Sequence, residues 1–189
     1  MNRASFLTKF QINLPQTMNK RYRYPAKVRA ASVLIPLIDG EDGLEVLFTI
    51  RALHLKHHAG QVSFPGGKQE ESDDDAVAAA LRESEEEIGL KSDSIEVVGQ
   101  LNPYQTISGF QVTPIVGMIS KLPTLLIDEG EVSEVFTAPL AFFLDSNNHI
   151  TVPVKTKQNQ YSVHFMPYRN YNIWGATAAM LKDLAEHLI

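Results

Sequence analysis

The sequence predicts a mixed α/β (α+β) fold. Short apolar runs rich in β-branched and aromatic residues alternate with segments of helical periodicity, and prolines and glycines separate them. The 189 residues, of which 44% are hydrophobic, suffice to bury a full core within one domain. No apolar run approaches the roughly 20 residues that would span a bilayer. Cysteine is absent, which excludes a disulfide scaffold, a thiolate zinc site and a cysteine nucleophile.

The N-terminal part is basic and contains no acid before Asp39, although the formal net charge of the whole chain is -5. Such a segment is compatible with a mitochondrial transit peptide, a nucleic-acid-binding arm or a patch that meets a phosphorylated substrate. We favour an ordinary first helix that Pro15 stops, because apolar residues recur at helical spacing before it: Phe6, Leu7, Phe10 and Leu14. No secretory signal pattern is present, and we expect a cytoplasmic location.

Two apolar segments then predict a β-hairpin. Residues 27–38 are short and apolar enough for a buried strand, and residues 44–51 return as a second strand with β-branched and aromatic side chains. Residues 53–60 form a loop or short helix that contains several histidines, namely His54, His57 and His58. No predicted helix presents these histidines on one face, so we expect surface or phosphate-contacting side chains rather than a metal site.

A turn and a helix occupy residues 64–90. Proline followed by two glycines predicts the turn at 64–67. The helix is expected to have Ser72 or Asp73 as its N-cap, with Asp74 and Asp75 in the first turn, and to end at Gly89. Its core-facing stripe consists of Val77, Leu81, Ser84 and Ile88.

Glu83, Glu86 and Glu87 project together from another side of this predicted helix. Like charges at i and i+4 repel by roughly 0.2 to 0.5 kcal/mol, and acids near a helix C-terminus also face the negative end of the dipole. A hard cation that bridges the carboxylates would reverse both effects, since Mg²⁺, Mn²⁺ and Ca²⁺ prefer oxygen ligands. For such an acidic run taken alone, a solvated face is the alternative interpretation.

Strands at 95–99 and 111–119 follow the helix. Pro114 interrupts the second of them, so we expect an edge or bulged strand. Residues 102–109 between the two strands are expected to form an exposed loop. Aromatic side chains beside this loop, Tyr104 and Phe110, are compatible with stacking on adenine, although we prefer hydrophobic cover.

The C-terminal part predicts a short helix, a hairpin and a long helix. A strand at Val135-Phe136 precedes the short helix at 139–144, and the hairpin joins 152–154 to 161–166 across a polar turn. The last helix opens at Ile173, with Trp174 as a core residue. Its apolar face consists of Met180, Leu181, Leu184 and Leu188.

The segment from Gly67 to Leu90 resembles the Nudix box, G-x5-E-x7-R-E-U-x-E-E-x-G-U with U aliphatic, of the nucleoside diphosphate hydrolases. Its second half is matched by Arg82-Glu83, Glu86-Glu87 and Gly89-Leu90, with Ser84 where an aliphatic residue is usual. The first half differs by one inserted residue. Counting from Gly67 places the acidic position on Asp73, whereas counting back from Arg82 selects Lys68 and Asp74.

A second resemblance is more specific and precedes the box. Leu47-Phe48-Thr49-Ile50-Arg51-Ala52, then Lys56, Gly60 and Phe64-Pro65-Gly66-Gly67, are similar to the signature of the coenzyme A pyrophosphatase subgroup, L-L-T-x-R-[SA]-x3-R-x3-G-x3-F-P-G-G. Phe48 stands in place of the second Leu, and Lys56 stands in place of Arg. Lysine keeps the charge but lacks the bidentate fork that suits phosphate.

The resemblance extends from about Leu34 to Leu181 and implies the Nudix fold, a mixed β-sheet sandwiched between helices. It implies a single domain over 1–189, with 1–24 as an N-terminal extension or helix and 64–90 as the Nudix box. The implied reaction is metal-dependent hydrolysis of a phosphoanhydride in coenzyme A or acyl-coenzyme A, giving 3′,5′-ADP and (acyl-)4′-phosphopantetheine. The implied cofactor is Mg²⁺ or Mn²⁺. The implied partner is a small-molecule nucleotide, without nucleic acid or membrane, and a homodimer stays open.

The resemblance also implies roles for individual residues. The metal ligands would be Gly67, Glu83, Glu86, Glu87 and Glu131. The catalytic residues would be Arg82, which orients the glutamates, together with Glu83, Glu87 and Glu131. The substrate-binding residues would be Arg51, Lys56, Gly60, Phe64, Pro65, Gly66 and Gly67.

Several alternatives stay open. Either Glu83 or Glu131 is a candidate for removing the water proton, and Glu129 is the second choice after Glu131 among the acids of that segment, which also suit a solvated loop. A Nudix hydrolase of ADP-ribose, NADH or a dinucleoside polyphosphate is the alternative enzyme. A non-catalytic Nudix-like nucleotide-binding module is the alternative from a different class. The isopentenyl type of isomerase is disfavoured because its catalytic cysteine has no counterpart.

Overall fold

The structure, a computed structural model, describes residues 1–12, 28–155 and 160–188. Within these ranges the elements, in chain order, are α1 (Arg3–Ile12), β1 (Arg29–Gly40), β2 (Gly43–Arg51), β3 (Val62–Ser63), β4 (Gly66–Lys68), α2 (Ala76–Ile88), β5 (Glu96–Gln100), β6 (Tyr104–Gln105), β7 (Phe110–Ile119), β8 (Val132–Pro139), α3 (Leu140–Leu144), β9 (Ile150–Lys155), β10 (Gln160–Tyr168), β11 (Tyr171–Trp174) and α4 (Gly175–His187).

The larger sheet has eight strands and is organised around β1. The predicted hairpin is confirmed, because β1 and β2 pair antiparallel beside the turn. On its other side, β1 pairs in parallel with β7 along most of its length. Beyond the hairpin β1 and β2 separate, and β3 then pairs with β2 while β4 pairs with β1. The segment that contains the FPGG sequence therefore lies between the two strands.

Helices cover both faces of the large sheet, which confirms the predicted α/β (α+β) class and the mixed sheet between helices. On one face α2 packs against a cluster that includes Leu34, Ile115 and Ile119. On the other face α1, α3 and α4 share the larger cluster, into which α1 inserts Phe6 and Phe10. The predicted apolar face of the last helix is buried in that same cluster.

A second, three-stranded sheet of β9, β10 and β11 follows, and the predicted hairpin of β9 and β10 is confirmed. The ring of Tyr171 on β11 stacks on Phe136 of β8 at a centroid distance of 3.6 Å. The Tyr171 hydroxyl donates to Glu134 at 2.6 Å. In α4, the Thr177 hydroxyl donates to the Val62 carbonyl at 3.1 Å. These contacts join the smaller sheet and the last helix to the strands that border the candidate site.

The strand that contains Pro114 is not an edge strand, because β7 lies between β1 on one side and β5 and β6 on the other, each of which pairs with β7 antiparallel. The register shift in the β5–β7 pair lies between Val97 and Gly99 and not at Pro114. The Pro114 carbonyl accepts the Leu101 N–H at 2.9 Å, so the missing donor of Pro114 points towards the same side. On that side β5 has ended at Gln100, and β6 begins at Tyr104. The proline thus occupies the gap between two short strands, where no ladder partner needs its N–H.

Three other local predictions differ from the structure. The supposed exposed loop at 102–109 contains the short strand β6. Ile173 and Trp174 end β11 rather than opening the last helix, which begins at Gly175. Trp174 is not a core residue: it is 39% exposed and stacks on Phe165 across the strand pair. The strand alternation places Ile173 inward and Trp174 outward.

The basic N-terminus has structural contacts where the structure describes it. Arg3 forms ion pairs with Asp39 and Glu96 and donates to the Ser120 hydroxyl, which fixes α1 to the ends of the large sheet. Leu14, Pro15 and the second half of the predicted extension 1–24 lie outside the described residues, as does most of the turn before β10. Within the described ranges, no helix has the length and apolar character needed to cross a membrane.

Gly66→Ala tests the close packing of β4 on β1. A Cβ at Gly66 would lie 2.6 Å from Val33 Cα and would also meet the Ser32 carbonyl oxygen, at a φ of +149°. Because backbone atoms cannot move aside, we expect the free energy of unfolding in urea to fall by about 3 kcal/mol. Gly175→Ala is the control: its φ is +65° but it has open space, so we expect a loss of about 1 kcal/mol. Equal losses in the two variants would contradict the packing argument.

Candidate active site

The candidate site lies where α2 crosses β4. Gly67 is in direct contact with Glu83, since a Cβ at Gly67 would lie 2.6 Å from Glu83 Oε1. The N–H of Gly66 donates to Glu87 Oε2 at 3.1 Å. Gly67 has no room for a side chain because the Glu83 carboxylate lies there, whereas Gly66 has none because the backbone of β1 lies beside it. The predicted turn at 64–67 is therefore only a bend at Pro65, and the glycines themselves form a strand.

The helix begins later than the sequence predicts. Asp75 is the N-cap, and its side chain accepts the Ala78 N–H. The predicted N-caps Ser72 and Asp73 are thus wrong, and no acid lies in the first turn. The predicted end at Gly89 is confirmed by its left-handed φ of 69°. The predicted core-facing stripe also lies against the large sheet, with Ser84 and Ile88 fully buried.

A neighbouring segment caps the C-terminus of α2. Leu126 N–H donates to the Ile88 carbonyl at 3.0 Å, and Asp128 N–H donates to the Glu87 carbonyl at 2.9 Å. These donors satisfy helix carbonyls that have no partner within the helix. The same segment continues into Glu131, whose carbonyl accepts the Ala52 N–H at 2.8 Å. Glu131 is thereby placed beside the end of β2, where Arg51 lies.

Glu87 is buried, with 4% of its surface exposed. Burial raises its pKa to about 7, against the opposing effects of the Gly66 N–H and the Arg51 guanidinium. Arg51 Nη1 lies 3.9 Å from Glu87 Oε1. The charges of Glu131 and Glu83 also raise the pKa of Glu87. Burial likewise raises the pKa of Glu83, Arg82 opposes this rise, and Glu86 and Glu131 add to it.

Glu83, Glu87 and Glu131 are therefore close enough to interact, but the prediction that Glu86 projects together with Glu83 and Glu87 is only partly right. The Glu86 side chain is 59% exposed and pairs with Arg82 Nη1 at 2.8 Å. Arg82 also pairs with Glu83 at 3.0 Å. Glu83 and Glu87 point towards the sheet, whereas Glu86 lies at the solvent side of the same cluster.

Of the two aspartates left undecided by the sequence, Asp73 is the one that contacts Arg82. Arg82 Nε donates to Asp73 Oδ1 at 2.9 Å, and Arg82 Nη2 donates to Asp73 Oδ2 at 3.0 Å. The Glu70 N–H also donates to Asp73 at 2.8 Å. These hydrogen bonds lower the pKa of Asp73, and the bond from Arg82 has the largest effect. Asp74 is exposed. Sequence reasoning left the two aspartates undecided because the inserted residue changes the loop length before the helix.

The loop after Arg51 is closed by the backbone of Arg51 itself. The Arg51 N–H donates to the Gln61 carbonyl at 3.0 Å, and the Arg51 carbonyl accepts the Gly60 N–H at 3.0 Å. Gly60 takes a left-handed φ of 69° to make this closure. Lys56, within the loop, is exposed. The loop contains no helix.

Two residues predicted to bind substrate are core residues. Phe64 is 2% exposed and stacks on Phe48 at 5.3 Å, and Pro65 is buried and gives its carbonyl to the Leu34 N–H. Their side chains therefore hold the FPGG segment in the sheet. The aromatic cluster takes up the whole ring of Phe64, and the prediction that these two residues bind substrate stays a prediction.

The sequence also predicted that the histidines after Arg51 lie at the surface and that Tyr104 and Phe110 cover the hydrophobic core. His54 and His57 are exposed, and His58 Nδ1 contacts Gln61 Oε1 at 2.8 Å, in agreement with surface histidines. Tyr104 and Phe110 are partly buried against the core. The Arg29 guanidinium covers the Phe110 ring at 3.9 Å. Both aromatic side chains thus serve as cover for the large cluster.

The donor atoms of the site suit a hard divalent ion. Carboxylates and the Gly67 carbonyl are oxygen ligands, and a cation would offset the burial and the mutual repulsion that raise the pKa of Glu83 and Glu87. In the part of the chain that the structure describes, no three His, Asp or Glu side chains are arranged to hold an ion as they stand. In the described structure these carboxylates already accept protein donors: Arg82 pairs with Glu83 and Glu86, and the Gly66 N–H donates to Glu87.

Comparison with known proteins finds a match to the NUDIX domain over residues 28–158. The uncharacterized Nudix hydrolase NudL of Salmonella dublin is 41% identical over 181 residues, covering 95% of this chain and 91% of that protein. NudL of Salmonella enteritidis PT4 is likewise 41% identical, with the same coverage.

Solved structures of the same fold are more distant in sequence. The NUDIX domain of Shewanella oneidensis NrtR, complexed with ADP ribose, superposes with a TM-score of 0.54 at 18% identity and full coverage of both chains. The Nudix hydrolase RenU of M. smegmatis superposes with a TM-score of 0.53 at 19% identity, covering 66% of this chain and 78% of that one. These likenesses concern the fold.

The burial of Glu87 predicts a pH dependence of stability in metal-free protein. The folded pKa of about 7 exceeds the ordinary value of 4.5, so the folded state binds more protons between these two values. The stability that Glu87 contributes is therefore fully present below pH 4.5 and is lost as the pH rises through 7. The free energy of unfolding should fall by about 3 kcal/mol in total over this range. Urea unfolding with a chelator between pH 4.5 and 8 measures it.

Glu87→Gln should reduce this dependence on pH, and Glu85→Gln, an exposed glutamate of the same helix, should leave it unchanged. A Glu87→Gln protein with the same pH profile as the wild type would show that Glu87 ionises freely in the folded state.

Proposed function

The chain belongs to the Nudix hydrolase family, and on that premise we propose that it hydrolyses the phosphoanhydride bond of coenzyme A or acyl-coenzyme A, giving 3′,5′-ADP and the (acyl-)4′-phosphopantetheine. The family supports the coarser activity, hydrolysis of a nucleoside diphosphate derivative. The observation that carries the finer proposal is the contact of Arg51 with Glu87 at 3.9 Å. Arg51 belongs to the coenzyme A subgroup signature and Glu87 belongs to the Nudix box, so this contact brings residues of the two motifs together at one site.

One departure from the signature is accommodated by the core. Phe48 is fully buried, and its ring packs against Phe64 at 5.3 Å and Phe136 at 5.2 Å. A phenylalanine in place of the second leucine therefore contributes to packing and leaves the site unchanged. The other departure, Lys56 for Arg, lies in the exposed loop that Arg51 closes. There a single positive charge can still approach the substrate phosphates.

We propose that Arg51 and Lys56 bind the substrate phosphates. Gly60 closes the loop that carries Lys56. Arg51 is 28% exposed, so its guanidinium contacts Glu87 and still reaches solvent. Gly66 and Gly67 let the strand backbone reach the diphosphate region without a side chain in between. The ring of Phe64 and the ring of Pro65 keep this backbone in place from the core side.

The metal ligands we propose are Glu83, Glu86, Glu87, Glu131 and the Gly67 carbonyl, for Mg²⁺ or Mn²⁺. When bound, such an ion neutralises the diphosphate charge and lowers the pKa of a bound water. Arg82 orients Glu83 and Glu86 by its ion pairs, and Asp73 fixes Arg82 by a bidentate bond. Glu83 and Glu131 are the carboxylates we propose for removal of the water proton.

Glu83→Gln should give a folded protein whose hydrolysis is reduced by on the order of 10² or more, because the amide cannot replace a carboxylate ligand. Glu87→Gln should behave similarly. Turnover of acyl-coenzyme A with Mg²⁺, together with circular dichroism to check folding, measures both. Full activity in either folded variant would remove that residue from the assignment.

Asp73→Asn should lower kcat by roughly 10- to 100-fold with a smaller change in KM, because Arg82 would lose the bond that fixes it beside the glutamates. The matched control is Asp74→Asn, the exposed neighbour, which should retain wild-type kinetics. If the two variants have equal activity, the structural assignment of Asp73 is wrong.

A substrate panel tests the proposed function. Pure protein is incubated with Mg²⁺ or Mn²⁺ and coenzyme A, acyl-coenzyme A, ADP-ribose, NADH or diadenosine polyphosphates, and the products are identified by mass. We expect 3′,5′-ADP from the coenzyme A substrates. Hydrolysis of ADP-ribose without hydrolysis of coenzyme A would overturn the substrate proposal, and an absence of any turnover with both metals would favour a nucleotide-binding module.

A further inference from the structure

We propose that a row of polar side chains beside Glu83 binds the adenine base of the substrate, with Gln105 as the residue that recognises it. We call this row the amide shelf and define it by Ser32, Gln69, Gln105 and Gln111, with Ala30 between them, on the face of the large sheet that carries α2. The inference rests on the proposed function, because it concerns the nucleotide half of the same substrate.

The amide shelf begins at the strand that holds the candidate site. Ser32 on β1 is the Cα partner of Gly67, the residue that contacts Glu83. Gln69 lies two residues after Gly67, and its Nε2 donates to Ser32 Oγ at 2.9 Å. Since alternate residues of a strand share a face, Gln69 and Gly67 lie on the same side of the sheet.

The strand register continues this face to β6. Ala30 is the Cα partner of Gln111 on β7, and Gln111 is the partner of Gln105 on β6. Gln105 Nε2 donates to Gln111 Oε1 at 3.3 Å. From the strand spacing and the rise per residue, the Cα atoms of Gln105 and Gly67 are roughly 16 Å apart. An extended nucleoside diphosphate has this scale, so its base can reach Gln105 while its phosphates lie near Gly67.

The hydrogen bonding of Gln105 is incomplete. Its Oε1 atom is buried and has no hydrogen-bond partner among the residues that the structure describes. An unpaired buried acceptor costs free energy, so a donor from a ligand would stabilise it. A glutamine amide has two donor hydrogens, of which Gln111 uses one. Gln105 therefore offers one acceptor and one donor side by side.

This pair of groups matches adenine. Glutamine binds adenine in a bidentate manner, accepting from the N6 amino group and donating to N7. A hypoxanthine base presents an oxygen at position 6, which would face the Gln105 acceptor and repel it. The amide shelf thus favours adenine over hypoxanthine.

A ligand can reach the amide shelf over Ala30, whose small side chain is exposed between Gln69 and Gln111. Gln105 and Gln111 are themselves only half-buried. The terminal torsion of a glutamine is soft, so its amide can turn towards this opening without leaving a rotamer minimum.

Equilibrium binding of AMP and IMP to the full chain tests the inference. The two nucleotides differ at position 6 of the base, and neither contains a phosphoanhydride, so binding is measured independently of hydrolysis. By isothermal titration calorimetry in Mg²⁺ buffer we expect AMP to bind more tightly than IMP by on the order of tenfold. Gln105→Leu should abolish this preference, whereas Gln100→Leu, an exposed glutamine on β5, should retain it.

Equal affinity of the wild-type protein for AMP and IMP would overturn the inference without reference to any variant, as would an absence of AMP binding. A preference that survives in Gln105→Leu would also overturn it. If the wild type prefers AMP, Gln105→Leu loses that preference and coenzyme A is not hydrolysed, the amide shelf stands and the proposed substrate is wrong. If coenzyme A is hydrolysed and AMP and IMP bind equally, the amide shelf alone is wrong.

Discussion

The close approach of the β4 backbone to α2 is the constraint on which the candidate site depends. Gly66 and Gly67 touch Glu87 and Glu83 directly, and a side chain at either glycine would meet backbone or carboxylate atoms. This approach is possible because β1 and β2 separate beyond their hairpin and admit β3 and β4 between them. The topology of the sheet therefore determines where the carboxylates lie, and their burial then raises the pKa of Glu83 and Glu87.

The acidic end of α2 would destabilise this helix without compensating contacts. Acids accumulate at its C-terminal end, where the dipole is negative. The protein offsets this with Arg82, with backbone donors from Leu126 and Asp128 at the last carbonyls, and with Arg51 from a neighbouring strand. Arg82 belongs to α2 itself, whereas the backbone donors and Arg51 come from other parts of the chain. Contacts from other parts of the chain therefore help to stabilise the acidic cluster.

Local patterns in the sequence predicted several features that depend on neighbouring residues, although not the starts of α2 and α4. The hairpin of β1 and β2, the end of α2 at Gly89 and the apolar face of α4 all follow from periodicity and glycine conformation. Features that depend on distant partners were predicted wrongly or left open. Pro114 is tolerated in an interior strand because of a gap between β5 and β6, Phe64 is a core residue because Phe48 lies beneath it, and Asp73 is selected over Asp74 by Arg82. The spacing of residues along the sequence does not reveal any of these contacts.

The N–H and the carbonyl of Arg51 close the loop that follows it, so the position of Arg51 does not depend on the conformation of that loop. Arg51 and the backbone of Glu131 are held at fixed positions by the sheet, whatever sequence lies between Ala52 and Gly60. That segment can change in length or composition during evolution while the chemistry next to it stays in register. The side chains of this segment can therefore vary without moving Arg51 or the backbone of Glu131, because backbone hydrogen bonds hold both in place.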